Sequence, residues 1–186
     1  MRPTANLVLA PSLLALAVAC GPSRLEKKDA EAQIRAGYPV TVTLRIPEQS
    51  GASAGTAEAL RLKGLAEALA HSGWFEASAP EVKGRVEFTA RLKPGAPATV
   101  KPVGQGFQVP VAQAVFTGLQ GKEERGDEAR ITYVIRLEQP TALFPAFELR
   151  YPDAKVGATK QRHARFRKDG RAWKLVETDE KFGKAE

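Results

Sequence analysis

A short apolar segment at the start of the chain, followed by its only cysteine, constrains the fold most. Residues 7–19 carry no charge, follow the basic Arg2 and end in Ala-Val-Ala just before Cys20. About 13 apolar residues are too few to cross a membrane as a helix, which needs about 20, but they match the central region of an export signal. Pro11 and the lack of a polar face argue against a buried helix. We therefore expect residues 1–19 to be removed, and the remainder to fold without disulfides because it holds a single cysteine.

Residues 16–21 read Leu-Ala-Val-Ala-Cys-Gly and resemble the lipobox of bacterial lipoproteins. In that class the cysteine is diacylated on sulfur, the signal is cut just before it, and the new amine is usually acylated. The resemblance therefore implies that Cys20 is the lipidated residue. The same residues also fit an ordinary signal-peptidase site, which would leave a soluble protein with a free thiol. We favour lipidation, because a lone thiol has no structural use in an oxidising compartment.

The resemblance implies a protein anchored to a membrane through its lipid and facing the periplasm or the cell exterior. In a Gram-negative source Gly21, standing where inner-membrane lipoproteins carry aspartate, favours the outer membrane. The chain as a whole carries 28 basic and 21 acidic side chains. This moderate positive charge permits binding to anionic partners without requiring it. We expect a single domain over residues 20–178 and a flexible tail over 179–186.

Two helices are predicted in the first half of the chain. Residues 23–26 form an S-x-x-E capping box, which predicts a helix over 24–36 and leaves almost no tether after the lipidated cysteine. Thr56 predicts the start of a second helix with one apolar stripe, and Gly73 predicts its end. The polar, Gly/Ser-rich residues 48–55 between the helices are predicted to form a loop.

Alternation of apolar and polar residues predicts strands over most of the remaining chain. The predicted strands are 38–46, 86–92, 107–119 and 131–137, and Pro110 within the third indicates an edge or a bulge. Helices in the first half followed by several strands predict an α+β domain. We expect its two helices to pack on one face of an antiparallel sheet.

The last predicted hairpin is centred on Asp169-Gly170, the preferred pair for a two-residue type I′ turn. The predicted register pairs Lys168 with Arg171, Phe166 with Trp173, and Ala164 with Leu175. Every apolar residue then lies on one face, which favours this register. Residues 165–176 resemble the closing hairpin of cystatin-like or NTF2-like small domains, which implies a similar fold.

The opposite face of this hairpin is basic. It carries His163, Arg165, Arg167 and Lys174, and the predicted register puts Arg165 directly opposite Lys174. Like charges so placed repel unless an anion lies nearby, so the face is a candidate site for an anionic headgroup, polymer or protein. The alternative is a solvated outer face with carboxylates from neighbouring strands between the charges. The aromatic residues point to the other face, which argues against nucleic acid.

No pattern in the sequence predicts catalysis, a cofactor or a metal. His71 and His163 lie far apart in the chain, and the acidic residues 123–128 lack calcium-loop spacing and fit a hairpin loop. No nucleophile motif or phosphate-binding glycine loop occurs. We therefore expect a non-catalytic binding or assembly module of the cell envelope. Two alternatives stay open: an envelope hydrolase assembled from distant residues, and anion or headgroup binding through the basic hairpin.

Overall fold

The computed structural model of the chain describes residues 24–180. Within this part, two antiparallel sheets and three helices share one hydrophobic core. The helices are α1 (Lys27–Arg35), α2 (Ala57–His71) and α3 (Phe144–Arg150). The α+β class predicted from the sequence is confirmed, and the structure adds a second sheet and a third helix to it.

The larger sheet contains the longest strands and is curled into a half-barrel. Its strands, in spatial order, are β1 (Val40–Pro47), β7 (Gly106–Arg125), β8 (Glu128–Glu138), β9 (Thr159–Asp169) and β10 (Ala172–Thr178), and the short β6 (Lys101–Pro102) pairs with β7. Pro110 lies beside a bulge in the pairing of β7 with β1, as predicted, because proline cannot donate to the ladder.

The smaller sheet is formed by β2 (Gln49–Ser53), β5 (Arg85–Leu92) and β3 (Phe75–Ser78), with β4 (Glu81–Val82) paired to β5. One residue, Glu48, links the sheets. Its N–H donates to the Gln105 carbonyl at 3.0 Å, and its own carbonyl accepts from the Ala90 N–H at 2.8 Å. The loop predicted over 48–55 is therefore wrong for residues 49–53, because this segment continues β1 into the second sheet as β2.

The helices cover different sheets. Helix α1 packs on the inner face of the larger sheet against β7 and β10, whereas α2 packs on the smaller sheet and against α3. The start and end predicted for α2 are confirmed. The Thr56 hydroxyl accepts from the Ala59 N–H at 3.2 Å, and Gly73 adopts a φ of +76° after the last turn.

The start predicted for α1 is wrong. The helix begins at Lys27, and Glu26 is its N-cap without a side-chain capping bond; Ser23 lies outside the described residues. Leu25, which the prediction placed in the helix, instead binds the larger sheet and is 1% exposed. Its N–H donates to the Glu124 carboxylate at 3.3 Å, and Lys122 donates to its carbonyl at 2.8 Å. These bonds to β7 keep the backbone at residue 25 out of the helix.

Helix α1 also covers the edge of the larger sheet at β10. The Gln33 amide donates to the Trp173 carbonyl at 2.9 Å and accepts from the Leu175 N–H at 2.9 Å. One side chain thus satisfies two backbone groups that a further strand would otherwise pair with. Such covering prevents edge-to-edge association of sheets.

We expect Gln33→Ala to lower the free energy of unfolding by about 1–3 kcal/mol, because it leaves two edge backbone groups without their protein partner. Urea denaturation measures this change. Glu31→Ala on the same helix is the control, since it removes only the exposed pair with Arg35, worth about 0.3–0.5 kcal/mol. Equal losses in the two variants would contradict the role of Gln33.

Candidate functional site

The four residues predicted to bind anions share the outer face of the larger sheet, on the side away from α1. His163, Arg165 and Arg167 come from β9 and Lys174 from β10. Their side chains are 38%, 50%, 61% and 67% exposed, respectively. The intervening residues Ala164, Phe166 and Trp173 are buried in the core, so alternation along the strands separates the two faces as predicted.

The turn of this hairpin differs from the prediction. Asp169 pairs with Ala172, so the two-residue turn consists of Gly170, with a φ of +61°, and Arg171. The register is displaced by two residues, and Phe166 now lies opposite Leu175. Because side chains alternate with a period of two, this displacement keeps every residue on its face. The facing of the apolar residues therefore could not distinguish the two registers.

The predicted juxtaposition of Arg165 with Lys174 is wrong for the same reason. Arg165 lies opposite Glu177, and Lys174 lies opposite Arg167. A bulge at Val176 adds one more residue to β10 between these two pairs.

Each of the four basic side chains has a carboxylate partner. The pairs are His163 with Asp179 at 3.2 Å, Arg165 with Glu177 at 3.1 Å, Arg167 with Glu128 at 3.2 Å, and Lys174 with Asp169. The bond from Lys174 holds the pKa of the Asp169 carboxyl below its usual range. An anion binding here would have to displace fixed carboxylates. The geometry thus agrees with the alternative raised above, a solvated face of balanced charge.

Asp179 follows β10 directly and is held by three groups. Burial raises the pKa of its carboxyl, but bonds from the His163 N–H and ring, aided by the Arg162 charge, outweigh burial and lower it. A carboxyl with a lowered folded-state pKa stabilises the fold above its unfolded pKa of about 3.9, and this contribution is lost as the pH falls through the folded-state pKa.

We therefore expect Asp179→Asn to destabilise the protein at neutral pH and to become equivalent to the wild type in acid. The side chain is 41% exposed, so solvent limits the difference to below about 1 kcal/mol. Urea denaturation at several pH values between about 7 and 2 measures it. A difference that stays constant across this range would contradict the assignment.

A groove of about 440 Å³ opens on the same outer face, across β7, β8, β9, the last two residues of β10 and Asp179. Arg125 and Arg130 contribute to it without an ion-pair partner among the described residues. Arg130 lies between Glu123 on one neighbouring strand and Arg165 on the other. The lining consists of Glu123, Arg125, Glu128, Ala129, Arg130, His163, Ala164, Arg165, Glu177, Thr178 and Asp179. Basic and acidic groups are thus interleaved, which suits a ligand that carries both charges.

The groove holds one arrangement that resembles part of a catalytic site. The His163 ring and the Asp179 carboxylate form a histidine–carboxylate pair, and Thr132 lies opposite His163 on β8. Among the described residues, however, no hydroxyl or thiol hydrogen-bonds the His163 ring, so the pair has no nucleophile to activate. No group of three or more His, Cys, Asp or Glu side chains in residues 24–180 could hold a metal ion.

A buried polar cluster lies on the inner face, beneath the end of α1. The Tyr38 hydroxyl donates to Glu180 at 2.5 Å and lies 3.0 Å from the Tyr133 hydroxyl. Burial, followed by the Glu180 carboxylate, raises the pKa of Tyr38 far above its usual value, and burial raises that of Tyr133. Arg162, 4% exposed, lies with its Nε 3.9 Å from Glu180. Residues 179 and 180, the first two of the predicted flexible tail, thus make side-chain contacts with the domain.

No protein-family model, curated protein or solved structure matches this chain. Within residues 24–180, no helix is long and apolar enough to cross a membrane. The candidate lipidation site Cys20 lies outside the described residues. The likeness of the last hairpin to cystatin-like and NTF2-like domains stays a prediction.

Sequence reasoning missed the Tyr38–Tyr133–Glu180 contacts, and it anticipated carboxylates beside the basic face without identifying them. The sequence held one indication of the buried cluster. Side chains alternate along β9, so Arg162 lies on the same buried face as Ala164 and Phe166. Its partner Glu180 could not be identified in the same way, since no strand periodicity extends beyond residue 178.

Proposed function

We propose that the protein is a lipid-anchored lipoprotein of the cell envelope that acts as a non-catalytic binding or assembly module at the membrane surface. The lipobox around Cys20 supports the anchor. The observation that carries the proposal is the fixation of Leu25 to β7 through both of its backbone groups. The ordered domain thus begins within five residues of the proposed lipid.

This short connection limits where the domain can act. Five residues span at most about 18 Å even when fully extended. A lipid on Cys20 would therefore keep the domain against the bilayer, because two or more acyl chains anchor a protein stably. We propose the periplasmic or exterior membrane face as its location, and the outer membrane in a Gram-negative cell.

The mixed-charge groove supports a protein partner in preference to a uniform polyanion. Its unpaired arginines, Arg125 and Arg130, can attract carboxylates, whereas its acidic residues repel a chain of phosphates. Complementary patterns of charge give binding specificity more than affinity. We therefore propose that the groove binds another envelope protein, and nucleic acid is not among its proposed partners.

Photo-crosslinking in cells tests this proposal. A crosslinking amino acid at position 130, in the groove, is expected to capture a defined envelope protein. The same amino acid at position 91, on the exposed side of β5 in the smaller sheet, serves as the control and is expected to capture none. Equal capture at both positions, or none at position 130, would contradict binding in the groove.

The hydrolase alternative has one specific observation in its favour, the His163–Asp179 pair in the groove. A binding module is expected to show no turnover of ester, amide or glycoside substrates. Reproducible turnover by the purified protein that His163→Ala abolishes would overturn the non-catalytic proposal.

A further inference from the structure

Two hairpin turns lie together at the end of the larger sheet where the described chain begins. The turn between β7 and β8 contains Asp127, whose carbonyl accepts from the Lys168 N–H at 2.8 Å. Lys168 lies two residues before the Gly170–Arg171 turn between β9 and β10, so the two turns are adjacent. Leu25 binds Lys122 and Glu124 on β7, close to the first of these turns. We name residues 24–29, 125–128 and 168–171 together the anchor end.

Apart from Arg125, which also lines the groove, the basic side chains of the anchor end are not those of the outer face. All four of the outer-face residues discussed above have carboxylate partners, whereas most basic residues of the anchor end have none among the described residues. Within the described residues, the basic side chains of this end outside the ion pairs are Arg24, Lys27, Lys28, Arg125, Lys168 and Arg171, and the acidic ones are Glu26, Asp29 and Asp127. Six basic side chains thus stand against three acidic ones outside the ion pairs of this end, although the Arg24 charge also helps to lower the pKa of the nearby Glu124 carboxyl.

The anchor end is also free of exposed large apolar side chains. The large apolar residues exposed elsewhere in the described chain include Leu60 and Leu149, on the helices that pack away from this end. Binding at the anchor end would therefore be electrostatic, without insertion into the hydrocarbon. Basic residues close to a membrane bind anionic lipid in this way, and salt weakens the attraction.

We propose that the anchor end faces the membrane and binds anionic phospholipid headgroups, chiefly through Lys168, Arg171, Lys27 and Lys28. This inference rests on the proposed lipid at Cys20, which would hold this end within reach of the bilayer. The lipid and the headgroup contacts together fix the orientation of the domain. The smaller sheet and the helix pair α2–α3 then lie on the side of the domain away from the membrane.

Fluorescence quenching on vesicles tests the orientation. The full-length, processed protein carries a fluorophore on Ala172→Cys, at the anchor end, or on Ser53→Cys, in the smaller sheet; an acylated Cys20 does not react with the label. The vesicles contain phosphatidylcholine, phosphatidylglycerol and a lipid with a quencher on its headgroup. We expect quenching at position 172 to exceed that at position 53 several-fold.

Charge removal tests the headgroup contacts. Lys168→Gln combined with Arg171→Gln is expected to reduce quenching at position 172 at least two-fold at low salt, and raised salt should do the same to the wild type. Arg91→Gln combined with Lys101→Gln removes the same charge at the other end of the molecule and is expected to change nothing.

The outcomes separate this inference from the anchor on which it rests. A protein that does not float with vesicles overturns both. Flotation with equal quenching at the two positions leaves the anchor intact and overturns the orientation. Unequal quenching that responds neither to the charge variants nor to salt overturns the headgroup contacts.

Discussion

Replacing Cys20 with serine is expected to move the protein completely from the membrane fraction to the soluble fraction. The serine hydroxyl cannot take the place of the acylated thiol, and burial of acyl chains contributes about 0.8 kcal/mol per CH₂ group. The Ala-Val-Ala sequence before position 20 still fits an ordinary signal peptidase. We therefore expect an exported, soluble domain, and fractionation followed by immunoblotting measures the change.

Gly21→Ser is the matched control for this experiment. It places the same new side chain one residue further on and leaves Cys20 available for lipid. We expect Gly21→Ser to stay in the membrane fraction. A Cys20→Ser protein that also stays there would show that another part of the chain holds it to the membrane.

Gly106→Ala is expected to destabilise the fold by about 3 kcal/mol, because overpacking at a site that cannot relax costs this much. Gly106 pairs with Pro47 where the chain passes from one sheet to the other. An added Cβ would lie closer than 3.0 Å to the Ile46 carbonyl oxygen and 3.1 Å from the Pro47 Cα. Both contacts are with backbone, so no side chain can move aside. Thermal unfolding should show a lower Tm, by roughly 10 °C.

Gly118→Ala on the same strand is the control. An added Cβ at Gly118 meets no atom within 4 Å, and alanine is favoured over glycine in a strand by about 0.5–1 kcal/mol. We expect its stability to equal or slightly exceed that of the wild type. Equal destabilisation of the two variants would contradict the close approach at Gly106.

Sequence patterns predicted the elements whose information is local. Alternation of apolar and polar residues predicted β5 and β8. In these strands Phe88 and Tyr133 are buried between exposed or half-exposed neighbours. Thr56 and Gly73 marked the ends of α2 because capping depends on residues within one turn. These elements were sufficient to assign the α+β class.

The misplaced elements are those that depend on contacts distant in sequence. Leu25 leaves the helical path because β7 binds it, almost 100 residues further along the chain. Strand β2 forms because Glu48 bridges two sheets, although only Ala52 in that strand is buried. The observed register of the final hairpin differs from the predicted one by two residues, although the same residues face the core.

The candidate site was predicted in part. Alternation correctly grouped His163, Arg165, Arg167 and Lys174 on one exposed face. Their carboxylate partners come from β8, from the hairpin itself and from the residues after β10, at positions that depend on strand register. Since periodicity does not determine register, the sequence predicted a face of balanced charge as an alternative but could not identify the carboxylate that pairs with each basic residue.

Mass spectrometry of the mature N-terminus, on protein extracted from the membrane fraction, tests the central claim most directly. The proposed lipid anchor predicts a chain that begins at Cys20 and carries a diacylglyceryl group on its sulfur, with an acyl chain on its amine in bacteria that add one. A chain that begins at an unmodified Cys20 would contradict the anchor, and with it the orientation proposed for the domain.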